Sequence, residues 1–311
     1  MSGRLQLILV LAATIVVGTA PAALQTKPDT GDQWLSRPVD DRTFRTYLDF
    51  FAYDRQIPLD VRTQNTVERD GVRIERLSYQ STRGIRVAAA LYQPQASAGG
   101  GAVILLPGGV ALGKDAPGPV AVASLLARAG WTVLTMDFLH FGERATDLFV
   151  SFSEQEKHER LYNQPPAYLA WITQTVKDAS RGYDLLVERK INPRRIALAG
   201  VSRGAIVASI ITGLERRFAG AALLFGAHFD ALENNHLPAA CPANYIGRIS
   251  PRPLLMINGL HDTDMIKDRA VEPLFRLARQ PKQIIWTEGG HGFWTDDHRA
   301  AMIQWLREKI K

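Results

Sequence analysis

The spacing of hydrophobic positions changes partway along this chain. Two partly alternating runs, VRIERLSYQ from residue 72 and IRVAAALYQP from residue 85, flank the turn signal STRG at 81–84 and predict an antiparallel hairpin. From residue 102 the apolar runs become short and continuous: AVILL (102–106), TVLTM (132–136), RIALA (195–199), AALLF (221–225), LLMIN (254–258) and QIIWT (283–287). Helix-compatible stretches fall between them near 118–129, 166–189, 204–214 and 267–279, and 296–310 closes the chain. Buried strands alternating with helices predict an α/β fold with a mostly parallel central sheet, helices on both faces and an antiparallel N-terminal hairpin. One domain over 61–311 accounts for the pattern. The polar arm at 23–60, amphipathic around 44–51, is expected to pack on it rather than fold alone.

The first residues read differently. MSGRLQLILVLAATIVVGTAPAA places one positive charge before an apolar run and ends in small residues with Ala-Pro-Ala at 20–22. That is the pattern of a cleaved secretory signal over 1–22, and it predicts a secreted or periplasmic protein without stable membrane association after cleavage. An uncleaved anchor is the alternative, because the run approaches the length of a span. The single cysteine, Cys241, cannot form an intrachain disulfide. The formal net charge of +6 comes from scattered Lys and Arg, with no basic stripe or recognition motif, so nucleic acid is not an expected partner.

The chemistry-bearing motif is Gly200-Val201-Ser202-Arg203-Gly204, between the 195–199 strand and an apolar helix. Gly-x-Ser-x-Gly at a strand-to-helix turn is a nucleophile elbow: small flanking residues let strand and helix approach while the serine hydroxyl stands clear near a helix N-terminus. A serine hydroxyl needs a base. Of the seven histidines, His291 in TEGGHGF follows the last strand on a glycine-rich loop, whereas His158 lies in a charged helical stretch and His298 in the closing helix. The orienting acid should follow the 254–258 strand, where Asp262 precedes Asp264. Asp262 is the expected acid, and Asp264 is expected to cap the following helix. The backbone N–H of Arg203 and that of Gly109 or Val110, in LLPGGVALGK, are the candidate oxyanion donors. No metal and no cofactor is expected: His261, Asp262 and Asp264 lack both a further ligand pattern and calcium-loop spacing.

With these residues in place, the chain resembles the α/β-hydrolase superfamily, and more closely its dienelactone-hydrolase and acetyl-xylan-esterase-like branch. The likeness runs from about Val72 to Trp305 through LLPGG, TVLTMDFLHFGER, DASRGYDLLVERKINPRRIALAGVSRG, ISPRPLLMINGLHD and GGHGFW. It implies Ser202 as nucleophile, His291 as base, Asp262 as acid and Gly109 in the oxyanion hole. Pro107 departs from the His-Gly motif of many members, and Ser202 in place of cysteine favours ester chemistry over dienelactone hydrolysis. Arg203 is similar to the Ser-Arg pair of glucuronoyl esterases. Its guanidinium could reach an oxyanion or a substrate carboxylate, or it could serve a structural carboxylate or point to solvent.

An insertion at about 138–172, rich in aromatic and charged residues, should overhang the serine. Phe138, His140, Phe141, Tyr162 and Trp171 are the candidates to face substrate. The expected activity is a serine carboxylic ester hydrolase, acetyl-esterase-like, acting through an acyl-enzyme on a small-molecule or carbohydrate ester. A peptidase of the prolyl-oligopeptidase type and a non-catalytic binding protein on the same fold are the rivals. Oligomeric state and natural substrate are not legible.

Overall fold

Nine strands form one sheet in the order β1-β2-β3-β5-β4-β6-β7-β8-β9. The computed structural model describes residues 33–95 and 101–311. The expected signal segment, the start of the arm and most of the glycine-rich loop before residue 102 lie outside the described residues. β1 (Arg62–Arg69), β2 (Val72–Thr82) and β3 (Ile85–Pro94) are antiparallel, and β3 joins β5 (Thr132–Met136) antiparallel as well. β4 (Ala102–Leu106), β5, β6 (Ile196–Val201), β7 (Ala221–Leu224), β8 (Leu254–Gly259) and β9 (Lys282–Thr287) run parallel. The apolar runs become strands because both faces are covered: every residue of β4, β7 and β8 is buried. β1 was not expected. All eight of its residues are exposed, so it carries no apolar alternation and exists as an edge strand through its ladder with β2.

The helices are α1 (Gln33–Ser36), α2 (Asp41–Phe51), α3 (Pro117–Arg128), α4 (Glu154–Lys157), α5 (Pro165–Glu188), α6 (Arg203–Leu214), α7 (Glu272–Leu277) and α8 (Asp296–Lys309). None among the described residues is long and apolar enough to cross a membrane. The described part of the arm lies on the domain. Asp40 caps α2 by accepting from Thr43 N, while Phe44 and Phe51 turn inward to meet the Tyr245 ring. Asp41 pairs with Arg248 at 2.7 Å, and Val39 N donates to Asn244 Oδ1 at 2.9 Å.

Strand order places the site. β4 has β5 on one side and β6 on the other, so the connections leaving its carboxyl end and that of β6 part in opposite directions and open a crevice there. The loop after β4 and the turn after β6 border that crevice.

Candidate active site

Ser202 occupies the turn between β6 and α6 with φ +54° and ψ −121°, a left-handed backbone that a side-chain-bearing residue adopts at a cost of about 1–3 kcal/mol. Packing holds it there. A β-carbon at Gly200 would collide with the Gly204 backbone, and one at Gly204 with the carbonyls of Leu106 and Pro107. Ser202 N donates to Leu224 O at 2.8 Å, tying the turn to β7.

The other members come from the two neighbouring loops. His261 N donates to Gly289 O at 3.0 Å, so the loops after β8 and β9 run side by side. No side chain would fit at Gly259, where a β-carbon would lie 2.7 Å from Gly290 O. His291 is thereby brought between the other two: its Nε2 is 2.9 Å from Ser202 Oγ and its Nδ1 is 2.8 Å from Asp262 Oδ2. The second carboxylate oxygen, Asp262 Oδ1, accepts from the backbone N–H of Asp264 and Met265, both at 2.9 Å.

These bonds set protonation states. Burial works against the Asp262 carboxylate, but the His291 bond and the two N–H donors outweigh it and hold its pKa below the ordinary value. An ionised Asp262 only accepts, so the imidazole proton sits on Nδ1 and the Nε2 lone pair faces the serine hydroxyl. Burial also works against charged His291, and again the Asp262 bond and charge prevail, raising its pKa above the usual 6.5.

The loop after β4 comes up beside the elbow. A β-carbon at Gly108 would stand 3.6 Å from Ser202 Cβ, and one at Gly109 would stand 3.4 Å from Arg203 Cβ. Val110 N donates to Gly108 O at 2.9 Å, so this N–H is engaged within its own turn. The N–H of Gly109 has no partner among the described residues. That of Arg203, at the first position of α6, has none within its helix. Of the two loop candidates, Gly109 is the open donor.

Arg203 departs most from a substrate-binding reading. Its side chain is 3% exposed, pairs with Glu233 at 2.6 Å and with Asp230, donates to Tyr168 Oη at 3.1 Å, and lies 3.8 Å over the Tyr162 ring. Asp230 also accepts from His158 Nε2 at 2.8 Å. The guanidinium serves the buried carboxylates of Asp230 and Glu233.

The aromatic candidates of the insertion are also corrected. Phe138, Phe141, Tyr162 and Trp171 are at most 2% exposed and pack on one another, with Phe138 and Trp171 ring centroids 5.1 Å apart. Trp171 Nε1 donates to Leu139 O. They form the insertion's core and have no open face to offer a substrate. His140 is partly exposed at φ +75°, with Nδ1 2.8 Å from Thr146 Oγ1 and Nε2 without a protein partner among the described residues. Asp264 is corrected in the same way. Its carboxylate is exposed, its N–H serves Asp262, and the helical turn that follows begins only at Lys267.

Asp262, Asp264 and His291 each offer a ligand atom within 4.8 Å of the others, a spacing that could hold a metal ion. Three of the four ring and carboxylate atoms that would bind it there, on Asp262 and His291, are already bonded within the triad, so a cation would compete with the Asp262–His291 bond. The residues that sequence reasoning missed are Lys157, Tyr168, Asp230 and Glu233. Of these only Lys157 left a trace, its spacing with Glu154, His158 and Tyr162 on a single helical face.

Comparison with known proteins bears on the fold. An acetyl xylan esterase from Paenibacillus sp. R4 superposes with a TM-score of 0.66 at 16% identity, covering 89% of this chain and 98% of that one. A cold-adapted esterase from an Arctic intertidal metagenomic library superposes with a TM-score of 0.61 at 16% identity, covering 84% and 100%. The fold is that of the α/β-hydrolases. At these identities the likeness establishes the fold. No family model matches the chain. The uncharacterized protein YfhR of Escherichia coli O157:H7 is 32% identical over 136 residues, 37% of this chain, and the match spans about half, 46%, of that protein's length.

Proposed function

We propose that the protein is a serine carboxylic ester hydrolase. The observation that carries this reading is the continuous chain Ser202 Oγ, His291 Nε2 and Nδ1, Asp262 Oδ2, with links of 2.9 and 2.8 Å, at the carboxyl edge of the sheet. Ser202 Oγ attacks the ester carbonyl carbon while its proton passes to His291 Nε2. The carbonyl oxygen becomes an oxyanion facing the N–H groups of Gly109 and Arg203. Collapse breaks the bond to the alkoxy oxygen, and the alcohol leaves with the proton from His291. Water then attacks the acyl-enzyme, giving a proton to the same nitrogen. The second collapse frees the carboxylic acid and returns the proton to Ser202. Asp262 remains ionised throughout and stabilises the imidazolium.

The esterases among its structural neighbours support small acyl esters, with acetyl esters first, as substrates. Export directed by residues 1–22, with cleavage after Ala22, rests on the signal pattern of the sequence. The test is turnover of p-nitrophenyl acetate, beside longer acyl esters and peptide anilides, with and without chelator. Chelator-insensitive turnover that a fluorophosphonate blocks at Ser202 is the expected result. Labelling without turnover of any ester would overturn the activity, and preference for anilides would move it to peptide bonds.

A further inference from the structure

We infer that Lys157 is a positioning residue for the oxyanion hole, an assignment that rests on the ester-hydrolase reading above. The ammonium of Lys157 is 2% exposed and donates to the carbonyl oxygen of Gly109 at 2.5 Å. Its other partner is Glu154 Oε1 at 2.6 Å, on a side chain that remains 65% exposed. Burying an ammonium carries a large desolvation penalty that this single, mostly solvated carboxylate offsets only in part. The stability of the insertion alone therefore gives a poor reason for a lysine here. Its contact with the loop gives a better one.

Gly109 sits between two peptide groups, and both are held. The carbonyl of Gly108 receives Val110 N, and the carbonyl of Gly109 receives Lys157 Nζ. With both flanking carbonyls pinned, the peptide planes on either side of Gly109 are fixed, and with them the orientation of its N–H, which has no partner among the described residues. Tyr162 closes the back of the same turn, since a β-carbon at Gly109 would come within 2.6 Å of its hydroxyl. Further along, the loop is anchored by Lys114, whose N–H and Nζ bond the two carboxylate oxygens of Asp137 at 2.8 and 2.9 Å. That anchor lies five residues beyond Gly109 and leaves the donor itself to Lys157.

Lys157, His158 and Tyr162 lie in α4 and the single turn of π-helix, His158–Tyr162, that continues it. Lys157 reaches the oxyanion loop, His158 reaches Asp230, and Tyr162 lies under the Arg203 guanidinium. One short segment of the insertion therefore grips both sources of oxyanion donors from behind. Widened turns of this kind recur at functional sites.

The experiment compares the full chain with Lys157→Met and Lys157→Arg. Three quantities are read: p-nitrophenyl acetate kinetics, melting temperature, and the affinity of an alkyl trifluoromethyl ketone, whose adduct with Ser202 carries an oxyanion. Lys157→Met should lower kcat by about 10- to 100-fold, short of losing a whole donor. KM should stay within about threefold, because ground-state binding does not use the hole. The ketone should bind more weakly by the same factor as kcat/KM falls, and Lys157→Arg should recover most of both losses. Turnover and ketone affinity of Lys157→Met within about threefold of the native protein would overturn the inference. Failure of both variants to fold where the native chain folds would also overturn it, by making Lys157 a stability residue. A native protein that hydrolyses no ester would instead remove the reading beneath it.

Discussion

Two charged clusters meet at the peptide bond between Ser202 and Arg203, and they are built in opposite ways. In front, Asp262 and His291 form a pair in which the carboxylate is sealed but the imidazole is a quarter exposed, and one serine hydroxyl completes it. Behind, Arg203 is sealed together with Asp230 and Glu233, and His158 and Tyr168 fill the remaining positions. The front pair contains a group that changes charge near neutral pH. The rear cluster is centred on a guanidinium that stays charged at every accessible pH. Burial and hydrogen bonding thus produce a titratable imidazole on one side of the elbow and a fixed scaffold on the other.

Variants on the two sides should separate these roles. Ser202→Ala should remove roughly 10⁴-fold or more of kcat while the protein melts as before. Steady-state kinetics beside a thermal melt checks this, and retained turnover would show that the nucleophile lies elsewhere. Asp262→Asn should cost roughly 10³–10⁴-fold in kcat, because an amide in that place can donate to Nδ1 and favour the wrong tautomer. Arg203→Met belongs to the rear cluster and should lower stability by about 3–5 kcal/mol, the usual result of leaving buried carboxylates without their cation. Urea unfolding reads this loss. A loss confined to acidic esters, at native stability, would instead put the guanidinium in contact with substrate.

The pH dependence sharpens the contrast further. The proposed mechanism needs neutral His291, and Asp262 raises its pKa despite burial, so kcat/KM should rise through an apparent pKa above 6.5 and fall away on the acid side. In Asp262→Asn that acid limb should move to lower pH, which a kcat/KM profile on an aryl acetate would register; an unmoved limb would mean that another group sets it. The smallest effect is expected at Asp264→Asn, less than about tenfold in kcat, because its carboxylate is exposed and only its N–H serves Asp262. Equal losses at Asp262 and Asp264 would break the distinction between them.

The parts of this picture that were legible in the chain are those set by local pattern. Continuous apolar runs announced β4 to β9 to within a few residues, and in β4, β7 and β8 the reason is that a strand covered on both faces must be apolar throughout. The polar edge strand β1 left no such mark. Ser202 was legible because its turn requires Gly200 and Gly204, and His291 because it follows the last strand between two glycines. Aromatic content in the insertion was visible, but its orientation was not: hydrophobicity alone does not separate a ring lining a pocket from a ring packed in a small core.

What the sequence determined by itself, then, was the alternation of strands and helices, the elbow, and the order in which Ser202, Asp262 and His291 appear. Each is encoded within a few residues of itself, through side-chain periodicity or the steric demands of a tight turn. Tertiary structure alone decided which charges meet. Arg203 finds Asp230 and Glu233 some thirty residues on, and Lys157 reaches Gly109 across 48 positions. Such pairings depend on where the sheet and insertion bring chain segments together. A charged side chain reads the same in sequence whether it ends in solvent or in a sealed cluster; only the surrounding packing removes the water and makes the partner necessary.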